Sequence, residues 1–175
     1  MNLKSFKILS VFILFNLSFF THYIYDICPN FISSLFFPIN ESIIEHMKMI
    51  FSTYLIYFFI ENKYLKNYYN NIKSNKIIQI IVNITIFLIM YLPIYFNFKH
   101  NLLITLIIYL ISIIITQIIS YKVLTNNKEY TFLNKYNFIF LIILFITFSL
   151  FTYYPIKNEL FIDKMHKKIG FKNYY

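Results

Sequence analysis

Five apolar segments, each about as long as a membrane span, constrain this chain more than any other feature of its sequence. With 59% hydrophobic and 13% charged residues, the chain also lacks the polar surface that a soluble domain of this size needs. The sequence therefore predicts an all-α fold, a polytopic transmembrane helix bundle, and a single integral membrane domain over residues 1–175. We place the spans at about 8–25, 43–60, 77–95, 102–119 and 137–153.

The first apolar segment also has one property of a secretory signal peptide, because Lys4 and Lys7 precede it. A signal peptide needs a cleavage site with small residues, whereas Thr21, His22 and Tyr23 end this segment. We therefore expect an uncleaved anchor.

The net charge of +9 is carried by lysines that lie mainly between the apolar segments. In a soluble protein this charge would suggest nucleic acid, but here its placement is a topology signal, and we expect the lipid bilayer as partner and no nucleic acid. The lysines are concentrated in three segments, which lie before the first span, from Glu61 to Lys76 and from Tyr121 to Lys135. This distribution predicts a multi-pass cell-membrane protein with a cytoplasmic amino terminus. Five spans then give an extracytoplasmic carboxyl tail, although the tail lysines oppose this orientation.

Two scarce residue types exclude several kinds of site. Cys28 is the only cysteine, so the chain has neither an internal disulfide nor a thiolate metal cluster of its own. Gly170 is the only glycine, which excludes a glycine-rich phosphate-binding loop and a dinucleotide fingerprint.

The densest group of ionisable residues lies at the start of the second span, over residues 38–48. Ionisable groups at membrane depth are costly, so their default interpretation is a functional site. At about 100° per residue, Glu41, Glu45 and Lys48 fall on one stripe of a helix, and His46 lies beside it. Lipid penalises such a polar arc, so we expect it to face other helices or a wet cavity.

The outer end of the first span is the expected neighbour of this helix start, because a short loop joins the two. It carries His22 and Tyr25. The candidate residues for ligand binding or proton relay are therefore His22, Tyr25, Glu41, Glu45, His46 and Lys48. The same topology puts all four histidines at one face of the membrane, namely His22, His46, His100 and His166.

Three interpretations of the group remain open. The first interpretation is a plain helix start, in which Ser42 and Glu45 form a capping box and Glu41 stabilises the helix dipole. Capping does not, however, explain the imidazole of His46. A carrier would use the carboxylates and the histidine to bind a ligand or relay protons. The third interpretation is a site for a zinc or iron ion, although the spacing of these residues is not that of known helical metal motifs. The metal ligands would be His22, Glu41, Glu45 and His46.

The box at the second span resembles the hallmark of a known family, Pro-x-Asn-Glu-Ser-x-x-Glu-His-x-Lys. This is a domain-of-unknown-function family of small multi-span prokaryotic membrane proteins. The matching residues are Pro38, Asn40, Glu41, Ser42, Glu45, His46 and Lys48. The resemblance extends to a His-x-x-Tyr pair, a Leu-Phe-x-Asp element and a tail glycine, while Ile44 replaces a family Trp. These elements are His22 with Tyr25, Leu160 with Phe161 and Asp163, and Gly170.

The resemblance implies a multi-span fold with the box at the centre of function, and it implies no reaction. We interpret the chain as an integral membrane protein that binds or transports a small molecule or an ion at its extracytoplasmic face. The alternative is a membrane-embedded metal-dependent hydrolase in which Glu41 or Glu45 is the general base. A structural or assembly protein is the third class. A combined site requires His22 within about 10 Å of Glu45 or His46.

Overall fold

The structure is a computed structural model that describes residues 2–97 and 101–173, so His100 lies outside the described residues. Its helices are α1 (Leu3–Ile27), α2 (Phe31–Phe36), α3 (Ile43–Leu65), α4 (Ile72–Asn97), α5 (Leu102–Leu124) and α6 (Thr131–Tyr153). All except the short α2 are long and apolar enough to cross a membrane, which confirms the predicted fold class and the five spans.

The carboxyl tail adds structure that the sequence did not predict. A 3₁₀ turn at Glu159–Phe161 follows α6. Three short strands then form an antiparallel sheet in the order β1-β2-β3. They are β1 (Ile162–Asp163), β2 (Lys168–Ile169) and β3 (Lys172–Asn173).

The helices begin or end several residues beyond most of the predicted apolar limits. The second predicted span ended at about residue 60, whereas α3 continues to Leu65. In hydrocarbon, the backbone N–H and C=O groups of a segment must bond to one another. A spanning helix therefore continues until water or a capping group can satisfy these groups instead. As a result Glu61, which we had assigned to a basic connection, lies inside α3.

The chain divides into two compact units. Unit 1 comprises Met1–Asn16 and Tyr57–Asn137, and unit 2 comprises Leu17–Ile56 and Phe138–Tyr175. The single membrane domain over residues 1–175 stays a prediction.

Unit 1 is built around α4 and α5, which pack against each other. Ile80, Phe87 and Ile113 are buried in its core. Polar contacts accompany this apolar packing, since Asn83 Nδ2 donates to Thr116 Oγ1 at 3.3 Å. Such contacts hold helices together in hydrocarbon, where apolar burial alone gives little net attraction.

In unit 2, the short helix α2 is fixed to its neighbours by hydrogen bonds. Asn30 caps its start in a capping box with Ser33. The Ser34 hydroxyl lies 2.5 Å from Tyr153 Oη, and Ser149 Oγ donates to the backbone oxygen of Leu35 at 3.3 Å. These contacts hold α2 against α6.

The single glycine fixes the tail to the start of α3. Gly170 has a φ of +54°, and an added Cβ would lie 2.7 Å from the backbone oxygen of Thr152. Only glycine tolerates both conditions without strain. Asn40 Nδ2 donates to the Gly170 backbone oxygen at 3.1 Å, so the tail turn lies against the predicted box.

Candidate functional site

Three of the predicted site residues come together in unit 2. His22 belongs to α1, Glu41 precedes α3, and His46 lies in the first turns of α3. The Nε2 atom of His22 is 3.3 Å from Oε1 of Glu41, and Nε2 of His46 is 3.5 Å from Oε2 of the same carboxylate. The two imidazole rings are 5.5 Å apart, well inside the 10 Å limit. These residues form a group able to hold a metal ion.

The orientation of the His46 ring is fixed by the backbone. Its Nδ1 atom lies 2.9 Å from the carbonyl oxygen of Ser42. A carbonyl oxygen only accepts, so Nδ1 carries the proton, and in the neutral ring Nε2 keeps its lone pair toward Glu41. In the described parts of the chain, the buried Nδ1 atom of His22 has no hydrogen-bond partner.

Glu41 is held as an anion between the two histidines. Burial acts to raise the pKa of its carboxyl, but the hydrogen bond from His22 and the charges of His46 and His22 outweigh it and lower the pKa below its ordinary value. The backbone N–H of Glu41 donates to Oδ2 of Asp163 at 3.1 Å. The Glu41 side chain is thus charged at neutral pH, and the Glu41 backbone is held in place by Asp163.

Asp163 is the residue that fastens the tail to this group, and we had not included it among the site residues. It is fully buried, and the backbone N–H groups of Met165 and His166 donate to Oδ1 at 2.9 and 3.0 Å. Although burial acts to raise its pKa, the hydrogen bonds from His166, Glu41 and Met165 lower it. A sequence signal for Asp163 was the Leu-Phe-x-Asp resemblance.

A cavity of about 170 Å³ lies beside the group. His22 and Glu41 line it, and His166 contributes a second imidazole. The Nδ1 atom of His166 is 2.9 Å from Oδ2 of Asp163, and the His166 side chain is largely exposed. The remaining lining residues are Asp26, Pro38, Ile39, Asn40, Asp163 and Lys168.

Glu45 and Lys48 form a separate, fully buried network. Lys48 Nζ is 2.6 Å from Oε2 of Glu45, and Thr152 Oγ1 donates to Oε1 of Glu45 at 2.6 Å. The backbone N–H of Ile39 donates to the same carboxylate at 3.1 Å, and Lys48 also donates to the Ser34 backbone oxygen at 3.0 Å. The group able to hold a metal therefore comprises three of the four predicted ligands, without Glu45.

Tyr25, the remaining candidate, packs edge-on against Phe171 with ring centroids 6.3 Å apart. It lies outside the His/Glu/His group. The capping interpretation also has geometric support, since the backbone N–H of Glu45 donates to Ser42 Oγ at 3.4 Å. The Glu45 carboxylate, however, accepts from Ile39 rather than from Ser42.

Unit 1 contains a second buried ion pair, between Lys7 and Glu61. Gln79 Nε2 donates to Glu61 at 2.8 Å, and Lys7 Nζ donates to Ser120 Oγ at 2.6 Å. Sequence reasoning missed this pair because Glu61 follows the apolar limit of the second span. The sequence signal that could have revealed it is that the helix-forming residues of the second span continue past its apolar limit.

The fold and the site together define a multi-span membrane protein with a His/Glu/His group able to hold a metal ion. The chain belongs to a family of unknown function, DUF6512, whose profile matches residues 1–171. No curated protein and no solved structure is detectably similar to the chain.

Proposed function

We propose that this protein binds a divalent transition-metal ion, with zinc as the first choice and iron as the second. The ligands are His22 Nε2, Glu41 and His46 Nε2. Two imidazoles with one carboxylate are a ligand set that zinc uses in open sites and that non-haem iron also uses. This is the ion-binding or ion-transport function expected from the sequence, assigned to three residues.

The spacing of the ligand atoms is the observation that carries the proposal. Charge-assisted N–H···O bonds are usually about 2.7–2.9 Å long, so the 3.3 and 3.5 Å contacts to Glu41 are long for direct ion pairs. Ligands bound tetrahedrally to zinc at about 2.0–2.1 Å lie about 3.3–3.4 Å from one another. The two nitrogens face different oxygens of Glu41, and the three ligand atoms lie within 4.8 Å of one another, close enough to share one ion.

The surroundings of the ligands support the same proposal. Metal-binding histidines commonly donate their second ring nitrogen to a carbonyl or a carboxylate, as His46 does to Ser42. Glu41 is anchored through its backbone to the buried Asp163. Binding also requires the carboxyl of Glu41 to be deprotonated, as it is at neutral pH, and both imidazoles to be neutral.

Metal content and zinc titration of the purified protein test the proposal. We expect one ion per chain in the wild type, and a loss of at least about 100-fold in zinc affinity for His22→Ala and for His46→Ala, because even the outer partners of metal ligands are worth about 10- to 100-fold. His166→Ala is the matched control, since it removes a nearby imidazole outside the group and should retain the ion. A wild type without measurable zinc or iron affinity, or equal affinity in all variants, would contradict the proposal.

A metal-dependent hydrolase is the second candidate, favoured by the pair formed by His166 and Asp163. Asp163 accepts from Nδ1 of His166, which leaves Nε2 available as a general base in the cavity that His22 and Glu41 line. Glu45 is less suited to this role because Lys48 and Thr152 occupy its oxygens. A metal in this site would supply an activated water for attack on an ester or a peptide.

Fatty-acid release from zinc-loaded protein in phospholipid vesicles, and cleavage of a peptide library, test the hydrolase. His166→Gln should abolish turnover while retaining zinc. If the wild type binds zinc but turns over neither substrate, this candidate fails and binding or transport remains. Zinc entry into vesicles that contain a zinc-sensitive dye then distinguishes transport from binding.

A further inference from the structure

Unit 1 contains a second cavity, of about 540 Å³, formed by the amino-terminal part of α1 and the carboxyl-terminal part of α5. Its walls are largely apolar, and several of the wall residues are exposed on the unit, including Ile8 and Ile118. Three lysines line it, namely Lys4, Lys7 and Lys122. The cavity thus combines a hydrocarbon-like wall with cationic side chains.

The charges of the three lysines are not equally compensated. Lys7 is buried and paired with Glu61. Lys4 and Lys122 are exposed, and in the described part of the chain neither has a carboxylate within salt-bridge distance. Lys4 lies in the first turn of α1 and Lys122 in the last turn of α5, where a spanning helix meets the headgroup region. The cavity therefore presents two unneutralised positive charges at helix ends.

Gln117 is an uncharged polar residue of the cavity lining. It is only 2% exposed. Its Nε2 donates to Gln79 Oε1 at 2.8 Å, but its buried Oε1 has no hydrogen-bond partner among the residues that the structure describes. That oxygen is closed to contact from the cavity, so we assign it no role in binding a ligand.

We propose that this cavity is a binding site for an anionic phospholipid such as phosphatidylglycerol. The phosphate would lie between Lys4 and Lys122, and an acyl chain would pack along Ile8 and Ile118. Basic pockets between transmembrane helices bind anionic headgroups by this combination of charge and apolar contact.

Native mass spectrometry of the full chain in an equal mixture of phosphatidylglycerol and phosphatidylcholine tests the site. We expect bound phosphatidylglycerol on the wild type and about 30-fold weaker binding on Lys4→Gln/Lys122→Gln. The matched control is Lys66→Gln/Lys128→Gln, which removes the same charge from exposed positions that do not line the cavity and should retain the lipid. Lys4→Arg/Lys122→Arg should restore binding.

A parallel measurement with phosphatidic acid tests whether the negative charge is what the site recognises. The wild type should bind both anionic lipids more tightly than phosphatidylcholine. Equal binding of phosphatidylcholine and phosphatidylglycerol to the wild type would overturn the proposal, as would equal losses in the cavity and control double variants.

Discussion

Within unit 2, two groups of ionisable side chains differ sharply in burial and in the distances between their polar atoms. Lys48 and Glu45 are 1% and 3% exposed, with oppositely charged atoms 2.6 Å apart. His22, His46 and Glu41 are 14–28% exposed, and their contacts are 3.3 and 3.5 Å long. Hydrogen bonds occupy the charged atoms of the first group, whereas in the second group the ring nitrogens and carboxylate oxygens face one another at longer distances.

This difference distinguishes the side chains that stabilise the fold from those that are available to a ligand. A buried ion pair in hydrocarbon is stable only when further hydrogen bonds satisfy both partners, and Thr152 and Ser34 do this for the Lys48 pair. The Lys7–Glu61 pair of unit 1 is completed in the same way by Ser120 and Gln79. The histidine group is more exposed, and its side chains form a group able to hold an added ion.

The largest expected effect comes from breaking the buried pair. Lys48→Met leaves the Glu45 carboxylate buried without its cation, and we expect the free energy of unfolding to fall by about 3–5 kcal/mol. Unfolding by SDS titration in detergent measures this loss. Lys164→Met is the matched control, because its pair with Glu159 is about half exposed and should contribute at most about 1 kcal/mol.

The double variant Lys48→Met/Glu45→Leu sharpens this test. It removes both charges, so it should be more stable than Lys48→Met alone. A single variant as stable as the wild type would show that the pair does not support the fold.

The next effect concerns Asp163, which joins the tail to the histidine group. Asp163→Asn replaces a carboxylate that accepts from buried N–H groups, and we expect a loss of about 2 kcal/mol at neutral pH. The pKa of Asp163 is lowered in the folded protein, so its stabilisation is complete above the ordinary carboxyl pKa of about 3.9 and is lost as the pH falls through the folded value.

Thermal unfolding of wild type and Asp163→Asn between neutral pH and about pH 3 measures this dependence. The difference between the two proteins should shrink in acid. A difference that stays constant over this range would show that the charge of Asp163 contributes nothing.

A smaller effect on stability is expected at the proposed ligand Glu41. Because this side chain is half-buried and its contacts are long, Glu41→Gln should change the free energy of unfolding of the metal-free protein by less than about 1 kcal/mol. Its zinc affinity should fall at least about 100-fold. Destabilisation as large as that of Lys48→Met would place Glu41 with the structural charges instead.

The smallest effect is expected for a neutral contact between helices. The hydroxyls of Thr21 and Thr53 are 2.7 Å apart and fully buried between α1 and α3. Thr53→Val should cost about 0.6 kcal/mol, the average for such contacts in membranes, in the same SDS titration. A cost above that of Asp163→Asn would mean that neutral contacts rival the charged ones here.

The sequence was sufficient to predict the spans and the meeting of His22 with Glu41 and His46. Hydropathy gives the spans directly, and a short loop limits the distance between the ends of α1 and α3. The contacts of Glu45 with Thr152 and of Glu41 with Asp163 were not predictable, because more than 100 residues separate each pair and no periodicity encodes their meeting.

Competition between the protein and a chromophoric zinc chelator at neutral pH tests the central claim most directly. The wild type should withdraw one zinc ion per chain from the chelator, and His46→Ala should leave that ion with the chelator while His166→Ala behaves like the wild type. Zinc withdrawn equally by His46→Ala and the wild type, or by neither, would contradict the assignment of the ion to His22, Glu41 and His46.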